Sequence, residues 1–531
     1  MNTDMTIYES ILPFKDSKNI ALYFRNKKVT HKEFLNLVDK QAEKLVELGI
    51  RYDDVVALLS PNIIECIVTY YALNKIGTIV SFLHPLLPPK VLEESLNETQ
   101  AKFFIVIDVF YKKYQEVIEK TNIKTFLITA LTALNPIESI VFKKQNKDAL
   151  DGLDDKMYIY KYELKGKVKI IPNNNFYKPS VYLRSGGTTG KSKTVVLNDK
   201  QLLYPGSLAT WITGQELAGK AIIGVLPLFH GFGLAMGVIA PLMNNAGSVL
   251  MVKFNLDETI SRIKKNQLNV LICIPYLAKK ILDSGKFKGS FLKNLIATYC
   301  GADKTPTYII DEYNSLMDEY NSKGYLLEGY GLTETVTVTF VNTHKDYKKG
   351  SVGKPLLGTK LKIVSDDDYE TDIGSEKTGK ILISSPALCV GYLNGECPFY
   401  IDKTGEKWLI TGDIGYHDDD GFLYFSNREN DVYKIAGYNV FPSLIEEEAT
   451  KVDGINFACC LYISDEKEPY LHLFVEAKEN INLSEVSNKL DKQLADNLIK
   501  YSYPKKITFV SRMPRTDIGK IDKKKLLEEH R

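Results

Sequence analysis

The sequence predicts a large N-terminal α/β domain, with helices packed on parallel sheets and a small β-subdomain at its end, followed by a small α+β domain. Three observations predict this fold. Helical and apolar strand patterns alternate over the first 130 residues, as they do in parallel sheets. Residues 340–425 hold short β-rich runs between turn clusters. After Arg428, helix and strand patterns mix over about 100 residues, the length of one small domain.

Each element is predicted from its apolar pattern. Helices show apolar residues with a period near 3.6, and buried strands show short, continuous apolar runs. In the first part, the predicted helices are 29–50 and 63–77, and the predicted strands are 54–60, 78–85, 103–108 and 125–130. In the β-subdomain, strands are predicted at 360–365 and 380–385. In the C-terminal part, the predicted helices are 443–452 and 484–499, and the predicted strands are 457–464 and 471–477.

Composition limits the class of protein. The chain of 531 residues is 44% hydrophobic and 25% charged, which suits a soluble globular protein, and its net charge of +2 argues against nucleic-acid binding as its main role. Its seven cysteines form no C-x-x-C pair, which is typical of reduced thiols in the cytosol. The N-terminus lacks the long apolar run of a signal peptide, so we expect a cytoplasmic protein.

One stretch requires a decision about membranes. No Asp, Glu, Lys or Arg occurs between Lys220 and Lys253, and its length would suit a membrane span. Prolines and glycines interrupt it, however, and its pattern favours a buried strand at 221–226, a loop at 227–230 and a buried helix after the loop. We therefore expect no transmembrane span.

The strongest local signal is a Gly- and Thr-rich segment, residues 185–190, between an apolar strand and two lysines. Glycines let backbone amides face an anion, hydroxyls add donors, and Lys191 and Lys193 add positive charge. A Walker loop would need glycine at Ser185 and a helix directly after the loop, whereas residues 193–199 favour a strand. The segment predicts a phosphate loop of another type, and alone it leaves a simple turn open.

Five segments, taken in order, resemble the signatures of one enzyme superfamily. They are SGGTTGKSK (185–193), GYGLTET (329–335), ITGDIG (410–415), NRENDVYKIAGYNVFPSLIEEE (427–448) and PRTDIGKIDKKKL (514–526). The chain resembles, over its whole length, the adenylate-forming superfamily of acyl-CoA synthetases, luciferases and peptide-synthetase adenylation domains, and most closely the fatty acyl-CoA synthetases. Two departures are modest: Ser192-Lys193-Thr194 replaces the usual Pro-Lys-Gly, and Asn427 precedes Arg428 where glycine is usual.

The resemblance implies an architecture and a reaction. A large domain, 1–427, would join a small mobile domain, 431–531, through a hinge near 428–431. A carboxylic acid would attack the α-phosphorus of ATP to give acyl-AMP and pyrophosphate, and coenzyme A would then accept the acyl group. The cofactors implied are ATP, Mg²⁺ and coenzyme A.

The resemblance also assigns roles to residues. Thr188, Thr189 and Lys193 would hold the β- and γ-phosphates, Glu334 would bind Mg²⁺, and Thr333 would donate to the α-phosphate. The full nucleotide-binding set is Ser185, Gly187, Thr188, Thr189, Gly190, Lys193, Gly301, Ala302, Asp303, Tyr330, Gly331, Thr333, Asp413, Arg428 and Lys520.

Four further roles complete the implied site. Asp413 would accept the ribose hydroxyls, because its two oxygens suit a diol. Arg428 would contact the nucleotide at the domain junction, and Lys520 would bridge the carboxylate and the α-phosphate. His230 would lie near the acyl carbon, although a lone His in an apolar run is often a core residue. Together with Thr333 and Glu334, Lys520 and His230 form the candidate catalytic set.

The acid and the acceptor are less sharply predicted. Residues 229–237 carry no acid that would pair with an amino-acid ammonium, which favours an apolar acid: a medium- or long-chain fatty acid first, an aryl acid second. Lys434, Gly437 and Tyr438 are expected to face the thiol of coenzyme A. An acyl-AMP ligase that loads an acyl carrier protein is the alternative, and a non-catalytic nucleotide-binding relic is a further one.

Overall fold

The computed structural model describes residues 3–166, 168–185, 193–366, 368–435, 438–463, 470–516 and 519–530. Within these ranges the strands form five sheets. Two large sheets belong to the N-terminal part, a third forms the predicted β-subdomain, and two small sheets lie in the C-terminal part.

The first large sheet is parallel except at its edges. Across the sheet its strands are Lys354–Pro355, Val338–Val341, Leu326–Gly331, Ala297–Cys300, Val270–Cys273, Ala221–Gly224, Gly247–Leu250, Ile20–Phe24 and Lys27–Thr30. The strands between the antiparallel edges pair in parallel. Several, such as Val270–Cys273, are buried at every position, because helices cover both faces of a parallel sheet. This burial explains why they appear in the sequence as continuous apolar runs.

The second large sheet contains the strands that alternate with helices early in the chain. Across the sheet its strands are Gly391–Tyr392, Thr194–Asn198, Pro179–Arg184, Ile79–Leu83, Val55–Leu59, Phe103–Ile107 and Lys124–Ile128. Thr194–Asn198 is antiparallel to Pro179–Arg184, so the Gly-rich segment is followed by a strand, as its sequence predicts, and not by the helix of a Walker loop.

The helices follow the predicted alternation. The α-helices are Ile7–Ile11, His31–Glu47, Ile64–Ile76, Pro89–Thr99, Gln115–Thr121, Pro136–Gln145, Lys147–Leu150, Asp199–Ser207, Ala209–Thr213, Ala240–Met243, Leu256–Lys264, Pro275–Asp283, Thr307–Glu319, Pro442–Thr450, Leu483–Asn497 and Lys523–Glu529. The short 3₁₀-helices are Leu12–Phe14, Asp108–Phe110, Lys112–Tyr114, Leu131–Ala133, Asp155–Met157, Ile159–Lys161, Ser290–Asn294, Thr333–Thr335, Glu429–Asp431 and Lys500–Ser502.

Local chemistry fixes where these helices begin and end. Thr30 and Glu33 form a reciprocal capping box at the start of His31–Glu47, and Gly77 ends Ile64–Ile76 in the left-handed conformation. The two helices pack against each other. The predicted helices 29–50 and 63–77 therefore differ from the structure only at their termini.

The β-subdomain is antiparallel and is attached to the first large sheet. Its strands are Lys360–Val364, Gly379–Ser384, Phe399–Ile401, Lys407–His417 and Leu423–Arg428. Backbone hydrogen bonds of 2.8 Å from Val352 to Leu423 and of 3.0 Å from Leu423 to Gly353 join it to the edge of that sheet.

The C-terminal part has its own apolar core. Its strands are Tyr433–Ile435, Tyr438–Val440, Ile455–Ile463, Tyr470–Ala477 and Lys506–Val510. Helices Pro442–Thr450 and Leu483–Asn497 contribute Ile445, Leu490 and Leu494 to a cluster that is separate from the main core. The predicted α+β character is confirmed, whereas the domain limits 1–427 and 431–531 remain a prediction.

Side chains connect the C-terminal part to the large part. The Nζ atom of Lys304 lies 2.7 Å from a carboxylate oxygen of Glu447, and the hydroxyl of Tyr308 donates to the backbone oxygen of Asn456 over 2.8 Å. The guanidinium of Arg515 lies 4.5 Å from the centre of the Tyr276 ring. These contacts define the arrangement of the two parts in this structure.

The charge-free stretch forms a strand, Ala221–Gly224, then a loop and two consecutive helical segments. The first segment, Phe232–Ile239, is a π-helix, and Ala240–Met243 continues as an α-helix. The apolar pattern predicts a helix here but does not distinguish the π type. Helices of this type are rare and occur frequently at functional sites. Within the ranges described above, no helix combines the length and the apolar character that crossing a membrane requires.

Two glycines on one turn provide a matched test of the junction between sheet and subdomain. Gly350 and Gly353 both have positive φ, +81° and +89°, but a Cβ on Gly350 meets nothing within 4 Å, whereas one on Gly353 would lie 1.9 Å from the carbonyl carbon of Val341. We expect Gly350→Ala to lower the free energy of unfolding by about 1–2 kcal/mol and Gly353→Ala by about 2–5 kcal/mol. Urea denaturation measures both, and equal losses would contradict the steric account.

Candidate active site

The candidate site lies where parallel strands of the first large sheet end. The strands Ala221–Gly224, Ala297–Cys300 and Leu326–Gly331 point the same way. His230, Gly301 and Thr333 follow their carboxyl ends in the chain. Ligands of open α/β sheets bind at this edge, so the topology brings together residues that lie about 100 positions apart.

Asp413 is the buried acid of the site. It is 1% exposed, its Oδ2 atom accepts a hydrogen bond from the hydroxyl of Tyr330, and its Oδ1 atom lies 2.9 Å from Nε of Arg428. Burial raises the pKa of Asp413 to about 6, against the opposing effects of Arg428 and Tyr330. Burial and Asp413 in turn raise the pKa of Tyr330, so that its hydroxyl keeps its proton and donates.

Asp413 also fits a ribose. Among the described residues, its buried Oδ1 atom accepts no hydrogen bond of good geometry, although it forms the ion pair with Arg428. A buried carboxylate oxygen with unused acceptor capacity suits a hydroxyl of a ribose diol. The backbone holds this arrangement, because Asp413 and Arg428 are register partners on adjacent strands.

The charge of Lys520 acts on the His230 side chain. Burial and the positive charge of Lys520 lower the pKa of His230 to about 4, so its imidazole is neutral near pH 7. Its Nδ1 atom accepts a bond of 3.3 Å from the backbone N–H of Phe232, which places the ring proton on Nε2. His230 is therefore an uncharged side chain that can donate a hydrogen bond through its Nε2–H group.

Lys520 is a partly buried cation delivered by the C-terminal part. Burial lowers the pKa of Lys520, while the nearby carboxylates of Asp303 and Asp413 oppose that shift. Gly519 beside it has φ +82°, and a Cβ there would lie 2.1 Å from Cδ1 of Ile274 in the large part. The positive φ of the turn favours glycine, and a Cβ there would also displace the end of the Ile274 side chain.

Lys193, Tyr392 and Glu334 form a second group at the site. The Nζ atom of Lys193 lies 4.5 Å from the centre of the Tyr392 ring, and the Tyr392 hydroxyl donates to Oε1 of Glu334 over 2.8 Å. The two ends of the phosphate segment are also tied together. The Ser185 N–H donates to the Lys193 carbonyl oxygen over 2.8 Å, and the Lys193 N–H donates to the Ser185 hydroxyl over 3.1 Å.

Glu334 also fits a magnesium ion bound together with phosphates. Its carboxylate is oriented by Tyr392, and its Oε2 atom accepts no hydrogen bond from the described residues. Mg²⁺ keeps several waters and needs only one or two carboxylates beside the phosphate oxygens of a nucleotide. Glu334 supplies one oriented carboxylate close to Lys193, the predicted phosphate-binding lysine, and this suits such an ion.

Two strained residues flank the site. Ala302 has φ +74° and Val336, a β-branched residue, has φ +64°. A non-glycine residue rarely adopts these angles, and such strain occurs mainly where function requires it. The carbonyl oxygen of Val336 also lies where a Cβ of Gly231 would be, at 1.6 Å, so His230 and the Glu334 turn are packed together through bare backbone.

Gly331 of the second signature is constrained by packing. A Cβ there would lie 1.5 Å from the carbonyl oxygen of Thr337 on the returning strand. Its hairpin places Thr333 and Glu334 in the short helix Thr333–Thr335. The structure thus explains the glycine by strand pairing, and its contact with a nucleotide remains a prediction.

Some predicted residues lie outside the described part of the chain. They are Gly187, Thr188, Thr189 and Gly190 of the phosphate segment and Gly437 of the thiol face. The backbone of Lys434 and Tyr438 belongs to the paired strands Tyr433–Ile435 and Tyr438–Val440. The roles assigned to these residues remain predictions.

Comparison with known proteins identifies the family. The model of the AMP-binding enzyme family matches residues 14–393. The chain belongs to the AMP-binding enzyme family. A long-chain-fatty-acid–CoA ligase of Bacillus subtilis is 27% identical to the enzyme over 536 residues, which cover 98% of this chain and 93% of that protein. The predicted membership of the adenylate-forming enzymes and the predicted class of acid–thiol ligase are confirmed.

Solved structures show the same fold. ATP-bound MatB from Rhodopseudomonas palustris matches the enzyme with a TM-score of 0.82 at 20% identity, covering 100% of this chain and 99% of that chain. The o-succinylbenzoate coenzyme A synthetase MenE from Bacillus subtilis, in complex with ATP and a magnesium ion, matches with a TM-score of 0.79 at 20% identity, covering 98% and 99%. The predicted combination of a large α/β domain and a small C-terminal domain is confirmed.

Sequence reasoning missed Tyr392. It lies in the edge strand Gly391–Tyr392, which pairs with Thr194–Asn198 directly after the phosphate segment. The pairing brings Tyr392 to Lys193, about 200 positions earlier in the chain, and the same tyrosine reaches Glu334, 58 positions earlier. No local pattern in the sequence distinguishes this tyrosine from the many others.

Tyr392 generates a prediction about magnesium. Tyr392→Phe keeps the ring beside Lys193 but removes the hydrogen bond that orients Glu334. We expect the magnesium concentration for half-maximal pyrophosphate release to rise about tenfold, with activity recovering at saturating magnesium, because partners of metal ligands typically affect affinity on this scale.

Tyr400→Phe is the matched control. The hydroxyl of Tyr400 also donates to a carboxylate, that of Glu370 in the β-subdomain. Its magnesium dependence should equal that of the parent enzyme. An unchanged magnesium dependence in Tyr392→Phe would mean that the tyrosine does not orient the metal-binding acid.

Proposed function

We propose that the enzyme activates a medium- or long-chain fatty acid with ATP and Mg²⁺, forms an acyl-adenylate with release of pyrophosphate, and transfers the acyl group to coenzyme A. The observation that carries the proposal is the docked position of Lys520. The lysine comes from the C-terminal part, interacts electrostatically with Asp303 and Asp413, and lowers the pKa of His230. This position suits the first half-reaction.

Adenylate formation brings a carboxylate anion to the α-phosphate of ATP. The positive charge of Lys520 would bridge the two, and it stabilises charge that develops as the P–O bond to pyrophosphate breaks. Thr333 would donate to the α-phosphate, and Asp413 with Tyr330 and Arg428 would fix the ribose. A magnesium ion held by Glu334 would neutralise the phosphate charge. Neutral His230, which keeps its proton on Nε2, would donate near the acyl carboxylate.

Thioester formation would need a second arrangement of the C-terminal part. Lys434, Gly437 and Tyr438 would then approach the adenylate, and Lys520 would leave. The Lys304–Glu447 pair, whose two side chains are about one third accessible, is one of the contacts that would break. Exposed ion pairs stabilise by only about 0–1 kcal/mol, so this pair would oppose the change little.

The nature of the acid is supported from two directions. The segment 229–237 is uncharged and forms much of the buried π-helix behind His230. Similar proteins are named long-chain-fatty-acid–CoA ligases in several bacteria. Aryl acids are the second candidate, since an anthranilate CoA ligase and a benzoate CoA ligase share the fold. Loading of a carrier protein and a cytoplasmic location remain predictions.

A panel of acids tests the substrate proposal. Each buried methylene of an acyl chain contributes about 0.8 kcal/mol, so we expect kcat/KM for pyrophosphate release to rise about fourfold per added methylene until the pocket is full. Benzoate and anthranilate serve as comparison acids. Preference for an aryl acid would reject the fatty acid, and thioester formation on a carrier protein but not on free coenzyme A would reject the proposed acceptor.

Lys520→Ala tests the proposed role of the docked lysine. We expect acyl-AMP formation to slow about 10²–10³-fold, because the lost cation acts only in the first transition state. Formation of the thioester from synthetic acyl-AMP should be spared. Two single-turnover assays separate these steps.

Lys524→Ala is the control, since that side chain belongs to the same basic tail and is 87% exposed. Both of its half-reactions should match those of the parent enzyme. Equal loss of both half-reactions in Lys520→Ala would reject the assignment of Lys520 to adenylate formation.

A further inference from the structure

Two cysteines flank the tyrosine that orients Glu334. The Sγ atoms of Cys389 and Cys397 lie 3.9 Å apart, with Tyr392 between them in the chain. A disulfide requires about 2.05 Å between sulfurs, so the two thiols are within a small movement of bonding. Cys397 is partly exposed, whereas Cys389 is buried beside a surface cavity of about 550 Å³.

The segment that carries this pair is bound to the active site by its backbone. The N–H of Cys389 donates to the carbonyl oxygen of Glu334 over 2.7 Å. Farther along, the N–H of Val390 donates to Val196 over 2.9 Å and that of Leu393 donates to Thr194 over 2.8 Å, on the strand after the phosphate segment. A change in the geometry of the cysteine pair therefore acts on Glu334 and on the base of the phosphate segment.

The other cysteines lack this combination of proximity and access. Cys273 and Cys300 are register partners on adjacent strands, but they are only 3% and 1% exposed. The remaining three, Cys66, Cys459 and Cys460, are buried as well. Oxidation of thiols depends on access, so Cys397 is the first cysteine that an oxidant in solution would reach.

We propose that Cys389 and Cys397 are a redox-modification site, whose reversible disulfide slows adenylate formation. The proposal rests on the proposed function for its readout of activity, and hydrogen peroxide is the oxidant. The sulfur of Cys397 attacks one peroxide oxygen, the O–O bond breaks, and a sulfenic acid and one water form. The thiol of Cys389 then attacks that sulfur and releases a second water. Two thiols and one peroxide thus give one disulfide and two waters, and a dithiol reverses the reaction.

The disulfide would act by shortening the distance between the Sγ atoms of Cys389 and Cys397. Closing the gap from 3.9 Å to about 2.05 Å displaces the segment by more than 1 Å in total, and the Tyr392 hydroxyl and the Cys389 N–H both hold Glu334. A displacement of about 1 Å at a reacting centre changes rates by up to about 10²-fold. We expect oxidation to slow acyl-AMP formation about tenfold or more.

The test uses the full-length enzyme treated with hydrogen peroxide, quenched, alkylated and digested with a protease that cleaves after glutamate, since Glu396 lies between the two cysteines. We expect a disulfide-linked peptide pair containing Cys389 and Cys397, a loss of pyrophosphate release of about tenfold, and full recovery with dithiothreitol. Cys397→Ser should keep the basal rate and resist peroxide. Cys460→Ala, in the core of the C-terminal part, is the control that should keep the sensitivity of the parent enzyme.

Three outcomes would overturn the proposal: no linked peptide, a linked peptide without loss of rate, or equal peroxide sensitivity in Cys397→Ser. Peptide mapping needs no substrate, so it is independent of the proposed function. If no acid supports pyrophosphate release, the proposed function fails, and the affinity for ATP with Mg²⁺ replaces the rate as readout. An affinity that oxidation leaves unchanged would then overturn the redox proposal.

Discussion

The burial of a cation is the constraint on which the docked structure depends. Lys520 loses water where the C-terminal part packs against the large part, and this burial lowers the pKa of Lys520. The carboxylates of Asp303 and Asp413 oppose this effect, and the phosphates of a bound nucleotide would oppose it further. If the nucleotide binds as proposed, the docked arrangement and the polyanionic ligand would favour each other, and the position of the C-terminal part would depend on ATP.

The same charge logic explains why the acids of the site are held differently. Asp413 is almost fully buried and needs Arg428 and Tyr330 as fixed partners, because an unpaired buried carboxylate would be costly. Glu334 is only partly buried, and a single hydrogen bond from Tyr392 orients it. The buried acid suits the proposed role of a fixed acceptor for a ligand, whereas the more accessible acid suits an ion that arrives with its own waters.

Short-range patterns predicted much of this molecule. The alternation of helices and apolar strands, the strand after the phosphate segment and the α+β C-terminal part all follow from apolar period and turn chemistry. The functional motifs were found because each is a compact run of residues, and the structure places His230, Lys520, Asp413 and Arg428 together.

Interactions between distant segments were not predictable in the same way. Tyr392 acquires its role from the pairing of Gly391–Tyr392 with a strand about 200 residues earlier. The positive φ of Val336 and the π-helix Phe232–Ile239 are imposed by packing, since neither residue type nor apolar pattern favours them. The contact of Gly519 with Ile274, a residue of the large part, is likewise not revealed by the local sequence.

Gly519 and the exposed ion pair Lys304–Glu447 contribute differently to the packing of the C-terminal part on the large part. The exposed pair Lys304–Glu447 adds little free energy, so it does not lock the C-terminal part in place. Gly519 contributes by its conformation: its positive φ forms the turn that precedes Lys520, and without a Cβ this turn lies against the end of the Ile274 side chain. Once pyrophosphate, and with it the negative charge that favours Lys520, has left, the proposed second half-reaction would need this geometry to be abandoned.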